Sequence, residues 1–299
     1  MSQPADIGLP AEPRTADAAD PPGVHLRARI DEQVRELLAQ GEVALADVDP
    51  EGVHSLRVAV RRLRAVLKAG DIAGSDELRA ELRWFFGVLG PVRDLDVLLM
   101  RFREDTQGFS AAELTAVELL LDPLVTERAA VQAKAAKVLR GKRHRRLLTA
   151  LATAAASPAR ETTEAATAEA DLIAKIAKPH QKLASAVAAM GVDPPDQELH
   201  DLRILGKKLR YAAELAAGVG GRPVRTLVKA TKRLQDVLGE HQDACIAETR
   251  LRGLTPTDVD QAFVAGRLVE RERVRQATMR ATWYEAFVEV DQAATALAG

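Results

Sequence analysis

An eleven-residue pattern occurs twice in this chain, and its spacing predicts a helix at both places. The first copy, His54 to Arg64, reads HSLRVAVRRLR, and the second, His200 to Arg210, reads HDLRILGKKLR. Both fit H-x-L-R-x-x-x-[RK]-[RK]-L-R without gaps. His54, Arg57, Arg61, Arg64 and Lys68 step 3-4-3-4, and His200, Arg203, Lys207 and Arg210 step 3-4-3. Steps of three and four return to one helical face, so each copy is expected to be a helix with a cationic stripe. Arg62 and Lys208 complete the matched basic positions. In the first copy Leu56, Val60, Leu63 and Leu67 step 4-3-4 and lie about 100° round the helix from the stripe, which supplies a side to bury.

A second echo follows each stripe. Leu89-Gly90-x-x-x-Asp94 matches Leu238-Gly239-x-x-x-Asp243, at nearly the same distance behind its histidine. Two signals in the same order argue for an internal duplication, and the interval is too long for a solenoid repeat. Aromatic residues make up only 3% of the chain, alanine is abundant and no run alternates as strands do. Such a core points to packed helices. The expected fold is all-α, two helical bundles over 24–156 and 157–299, preceded by a disordered arm at 1–23 that is rich in Pro, Ala and Asp. Helical periodicity starts near Val24, and Asp49-Pro50 breaks it before the first stripe. Helices are expected over 76–89, from Pro91 as a first-turn residue, and over 111–140, with an alanine-rich polar junction near 154–167. In the second half they are expected over 163–190, from the Asp193-Pro194-Pro195 turn to Ala217 with Gly206 interrupting, and over 240–252 and 258–295. Between these lies a basic helix with Arg222, Arg225, Lys229 and Lys232 at 3-4-3 spacing.

The formal net charge is −1, so the chain lacks the basic surplus of a nonspecific DNA-coating protein. Any anion site must come from local concentration of cations. Between Gly52 and Gly70 there are five Lys/Arg and no Asp or Glu. Like charges at i,i+4 repel by a few tenths of a kcal/mol each, and an external anion or a facing carboxylate would relieve them. Asp94, Asp96 and Asp243 are expected to orient the stripes by ion pairing. His54 and His200 have no second histidine or carboxylate at i+3 or i+4, so no metal is expected there. The chain has no GxxxxGK[ST] or GxGxxG loop and no HExxH, CxxC or GxSxG motif. It is therefore expected to be a non-enzyme without a cofactor. Cys245 is the single cysteine, and neither a secretory signal nor a membrane span is evident, so a cytoplasmic location is expected.

These motifs, with Leu89-Gly90-Pro91-Val92-Arg93-Asp94-Leu95-Asp96 and its counterpart Leu238-Gly239-Glu240-His241-Gln242-Asp243, resemble the CHAD family, the conserved histidine α-helical domain. The resemblance covers about residues 24–295. It implies two bundles related by a pseudo-two-fold axis, with basic residues lining a central groove or pore. It also implies binding of inorganic polyphosphate and association with polyphosphate granules. Some relatives carry a fused triphosphate-hydrolysing domain marked by an ExExK strand. This chain has no ExExK and looks like a stand-alone binding domain. The implied ligand residues of the first half are His54, Arg57, Arg61, Arg62, Arg64, Lys68 and Arg93. Those of the second are His200, Arg203, Lys207, Lys208 and Arg210, joined by Arg225, Lys229, Lys232 and Arg233. Gln242 stands where the first half has Arg93, so the second half is expected to offer fewer contacts.

Recognition of polyphosphate needs cations and little else. The chain holds six Phe, two Tyr and two Trp, few for the stacking platforms of single-stranded nucleic-acid binders. A 14-residue stripe spans about 21 Å, long enough for several phosphates. Other polyanions, a nucleic-acid backbone, and metal-dependent hydrolysis of polyphosphate or phosphate esters are the alternative readings.

Overall fold

The computed structural model describes residues 3–17, 20, 22–69, 74–156, 169–217 and 220–297. Regular structure among these residues is entirely helical. A short 3-10 turn at Pro4–Ile7 precedes α1 (Pro22–Ala46), α2 (Glu51–Ala69), α3 (Ser75–Glu104), α4 (Ala111–Leu139) and α5 (Lys142–Ala156). Then come α6 (Glu169–Ala189), α7 (Asp196–Ala216), α8 (Gly221–Arg252) and α9 (Val259–Thr295). Most of the expected junction near 154–167 lies outside the described residues.

The chain forms two compact units. One comprises Met1–Glu104 with Leu121–Thr163, and the other Asp105–Leu120 with Glu164–Gly299. A division at 156/157 does not anticipate that Asp105–Leu120 joins the second unit. Arginines of α9 hold it there. Arg275 pairs with Asp105, Arg271 donates to the carbonyls of Asp105 and Gln107, and Arg267 pairs with Glu113 while its guanidinium lies 3.8 Å over Phe109.

In the first unit the α2 leucines and Val60 expected to face inward are all buried, together with Ile30, Val34 and Leu37 of α1, Leu82, Phe85 and Leu89 of α3 and Leu151 of α5. The second core combines Ile176 and Leu183 of α6, Leu202 and Leu209 of α7, Leu227, Leu234 and Leu238 of α8, and Trp283, Phe287 and Val290 of α9. Each large apolar side chain so buried contributes roughly 1.5–3 kcal/mol, the main source of cohesion in either unit.

Four local expectations are corrected. The arm is ordered over its described residues: Ile7 and Leu9 are buried in the first core, and Arg35, anchored on buried Asp31, donates to the carbonyls of Pro10 and Glu12. Two apolar residues and one cross-chain arginine outweigh the polar composition. Pro91 does not start a helix but sits inside α3. A mid-helix proline costs about 3 kcal/mol, yet Phe85, Leu89, Val92 and Leu95 bury on either side of it and carry the helix through. The 240–252 segment is likewise the end of one long α8, whose buried line Leu234, Leu238, His241, Ala244, Ala247 and Leu251 crosses Gly239 without a break. Finally, Gly206 does not interrupt α7. A Cβ at that position would come 2.8 Å from Gln235 Nε2, and that amide donates to the Arg203 carbonyl at 2.9 Å. The glycine admits the close approach of α8.

Candidate anion-binding site

In the first unit α2 packs on α3 and brings one stripe residue, Arg57, against it. Arg57 is the pivot. It is half-buried, with its guanidinium carbon 4.1 Å over the Phe86 ring and Nη1 lying 3.2 Å from where a Cβ on Gly90 would stand. Gly90 therefore makes room for the arginine, which explains the Leu-Gly half of the second motif. Burial lowers the Arg57 pKa from its ordinary value, Asp94 opposes that, and the like charges of Arg61 and Arg93 add to it. Asp94 makes no ion pair with the stripe among the described residues; it acts on Arg57 as a nearby opposite charge. Asp96 does something else: it is buried and accepts from Arg128 Nε at 2.9 Å, while Arg128 also pairs with Asp47.

Arg61 and Lys68 are exposed, and Arg64 is half-buried with its Nε shielded from solvent and without a hydrogen-bond partner. None of these three, nor Arg93, makes an ion pair among the described residues. His54 opens the row one turn before Arg57. Arg83, absent from the sequence motifs, is exposed on α3 seven residues before Gly90 and so on the same helical side. Spacing alone could have found it.

The second unit repeats this arrangement with different atoms. Arg203 of α7 lies against Gly239 of α8, with Nε 3.7 Å from where a Cβ on that glycine would stand. That Nε, too, is buried and has no hydrogen-bond partner. Gln235 occupies the place Phe86 has in the first unit and ties down the Arg203 backbone. His200 Nδ1 lies 2.9 Å from Gln242 Oε1, so the residue that replaces Arg93 holds a stripe histidine. Lys207 is exposed, 5.8 Å from the Tyr211 ring. Arg225, Lys229 and Lys232 are exposed along α8.

Not every expected ligand residue has a free charge on the stripe. Arg210 pairs with Glu214 at 2.7 Å, and Arg233 pairs with Glu285 and Glu289. Arg62 and Lys208 stand five residues after Arg57 and Arg203, about 140° round the helix from them. They face away from the stripe. Lys208 instead lines a cleft with α6. The basic run from Lys134 to Arg146 divides between α4 and α5, where Arg143 pairs with Glu81 and lies over Trp84, and His144 is buried against Phe85.

One cluster has no signature in the sequence because its members are far apart in the chain. Atoms of Asp196, His241 and Cys245 lie within 4.8 Å of one another, a set that could ligate a cation. Arg280 donates to Asp196 Oδ1 at 2.7 Å and stands 3.5 Å from His241 Nε2, so a cation would have to displace its guanidinium. Burial, with Asp196 and Glu248 nearby, pushes the Cys245 thiol up to about 12, and burial lowers His241. This corner is a hydrogen-bonded joint between α7, α8 and α9.

Two helical units, each with an Arg/Lys-bearing helix whose arginine packs over a helix glycine, define the class of all-α protein. The CHAD-domain family profile matches residues 28–252, and the chain belongs to that family. The match ends with α8, although α9 completes the second core. No protein with curated annotation matches the sequence. Among solved structures, PptA from Streptomyces chartreusis is similar over 90% of this chain and 99% of its own, with 23% identity and a TM-score of 0.59. The CHAD domain from the plant Ricinus communis is similar over 96% of each chain, with 23% identity and a TM-score of 0.54. Both share the fold.

Proposed function

We propose that this protein binds inorganic polyphosphate without turning it over. The carrying observation is the half-buried Arg57, gathered with Arg61 and Arg93 against one compensating acid, Asp94. Folding alone gains little from desolvating a guanidinium beside two like charges. A polyanion would repay it, because phosphate accepts charge-assisted hydrogen bonds from several guanidiniums at once. Arg203 restates the arrangement in the second unit, with a buried donor that has no protein acceptor. CHAD membership agrees with this reading. We place the protein in the cytoplasm, with polyphosphate granules as its site of association. No described helix is long and apolar enough to cross a membrane.

Calorimetry with polyphosphates of defined length tests the proposal. Submicromolar binding of long chains is expected, weakening steeply with salt as counterions are released. Orthophosphate release in the presence of divalent metals would replace it with the hydrolytic reading. Nucleic acid that displaces polyphosphate as readily as the reverse would replace it with a nucleic-acid-backbone reading. Tyr211 offers an exposed ring beside the second stripe, but stacking needs successive platforms.

A further inference from the structure

A further row of cations lies where the motifs do not reach. From Leu172 to Ala189 helix α6 carries Lys175, Lys178 and Lys182 and no Asp or Glu. The steps of three and four put these lysines on one face over about 10 Å of helix. They line an open cleft of about 520 Å³ against α7, where Lys208 closes the other wall. The floor is apolar, built from Ala174, Pro179 and Leu205. No carboxylate lines the cleft, all four lysines are exposed, and none makes an ion pair among the described residues.

The corresponding helix of the first unit shows what an ordinary solvated face looks like. Helix α1 packs on α2 as α6 packs on α7, but it mixes Arg29 and Arg35 with Asp31, Glu32 and Glu36, and Arg35–Asp31 and Arg29–Glu32 are ion pairs. Among the described residues the α6 face has no such compensation, Asp171 standing one turn before its first lysine, so Lys178 and Lys182 with Lys208 of α7 repel one another unless an anion sits among them. The α1 face does not share the α6 pattern.

We infer that the α6–α7 cleft is a lysine-built subsite for several consecutive phosphates of one polyphosphate chain, reached by crossing α7 from the arginine stripe. The inference rests on the polyphosphate reading. Lys207 and Lys208 are neighbours in sequence, one on the stripe and the other in the cleft, so a flexible chain passes from one to the other over the exposed side of α7. Ammonium groups act as point charges without fixed orientation. The cleft therefore holds chain segments by charge, whereas the guanidiniums of the stripe add directed hydrogen bonds. Its apolar floor has no ring on which a base could stack.

Two measurements on the full chain test this with long-chain polyphosphate as the probe. The first is the slope of log Kd against log salt for wild type, for a Lys175→Gln/Lys178→Gln/Lys182→Gln variant and for an Arg203→Gln/Lys207→Gln variant. The second is reductive methylation of lysines with and without polyphosphate, read by mass spectrometry. The triple variant is expected to keep its fold, because all three side chains are exposed. It should lose about two to three units of slope, at roughly 0.7–0.9 for each phosphate no longer neutralised. Threefold or greater protection of Lys175, Lys178, Lys182 and Lys208 is expected, and the triple Lys→Arg variant should restore the slope. If the triple variant keeps the full slope and the four lysines are methylated equally with and without ligand, while the Arg203/Lys207 variant loses affinity, the subsite is refuted and the polyphosphate reading stands. If wild type does not bind polyphosphate, both fall together.

Discussion

Gly90 offers a substitution that should cost binding far more than stability. Glycine inside a helix is about 0.8–1.0 kcal/mol less favourable than alanine, and Gly90 lies well within α3. A Cβ there would stand 3.2 Å from Arg57 Nη1, so the guanidinium must retreat by a few tenths of an ångström. It would give up part of its contact with Phe86, a cation–π pair worth roughly 0.5–1 kcal/mol. Because Pro91 follows, a Cβ at this position also meets the proline ring, which disfavours helical backbone in the preceding residue, so the ligand-free protein should change by less than about 1 kcal/mol. Binding should suffer more. If the displaced Arg57 loses one charge-assisted hydrogen bond to phosphate, the cost of about 1.5–3 kcal/mol corresponds to a Kd raised about ten- to 150-fold. Gly239→Ala is the matched control. Its Cβ would meet Arg203 Nε at 3.7 Å, an ordinary contact, so it should keep the full helix gain of about 1 kcal/mol and leave affinity as it is. Chemical denaturation without ligand and calorimetry with long-chain polyphosphate at fixed salt separate the two effects. Wild-type affinity in Gly90→Ala, or equal affinity losses in the two variants, would refute the assignment of Arg57 as the pivot.

Paired charge reversal, Arg57→Glu with Arg61→Glu or Arg203→Glu with Lys207→Glu, should lower polyphosphate affinity and flatten its salt dependence in each case, as calorimetry across a salt series will show. Cys245, its thiol pushed up to about 12 by burial and nearby acids, should resist iodoacetamide near pH 8 in the native protein and react readily once urea unfolds it. His144 donates from Nδ1 to the Leu139 carbonyl, its Nε2 is buried without a partner, and burial lowers its pKa. A group whose folded pKa lies below the unfolded value of about 6.5 leaves stability intact above that pH and erodes it as pH falls further. His144→Phe should therefore flatten the acid side of a Tm-versus-pH curve between pH 7 and 5, and an unchanged curve would remove His144 from the account.

Much of the fold could be read directly from spacing. The inward residues of α2 follow the 4-3-4 step, and both stripe helices run where the repeated pattern puts them. Local rules failed where packing overrode them. Pro91 is a favoured first-turn residue by propensity, but apolar side chains before and after it bury in one core. Ile7 and Leu9 sit in a polar arm, and only the fold brings Arg35 to hold the chain beside them. For the site, the steps of three and four located Arg57, Arg61 and Arg203, but the pattern match also included Arg62 and Lys208, which helical geometry sends to another side. The Glu214 partner of Arg210 is four residues away and could have been anticipated. The Glu285 and Glu289 partners of Arg233 lie on α9 and could not.

The near-zero net charge conceals a sorting of charges that bears directly on function. Several cations elsewhere in each unit are matched by acids. Arg128 joins Asp96 and Asp47, Arg143 takes Glu81, Arg275 takes Asp105, and Arg280 bridges Asp193 and Asp196. These pairs use up carboxylates in structural roles. Among the described residues, the stripe cations along α2 and Lys207 of α7 are without ion pairs, and so are Lys175, Lys178 and Lys182 of α6. Had the acids been spread evenly, each of these helices would carry compensating i,i+4 pairs at little cost in stability, as α1 does. Rows of this kind keep positive charge available at the expense of local repulsion. The halves do this by different means. Phe86 supports the first pivot arginine through its ring, whereas Gln235 fixes the second through its backbone and needs Gly206 to reach it. A match confined to side-chain identity misses that equivalence, because what the two units share is the position of an arginine over a helix glycine.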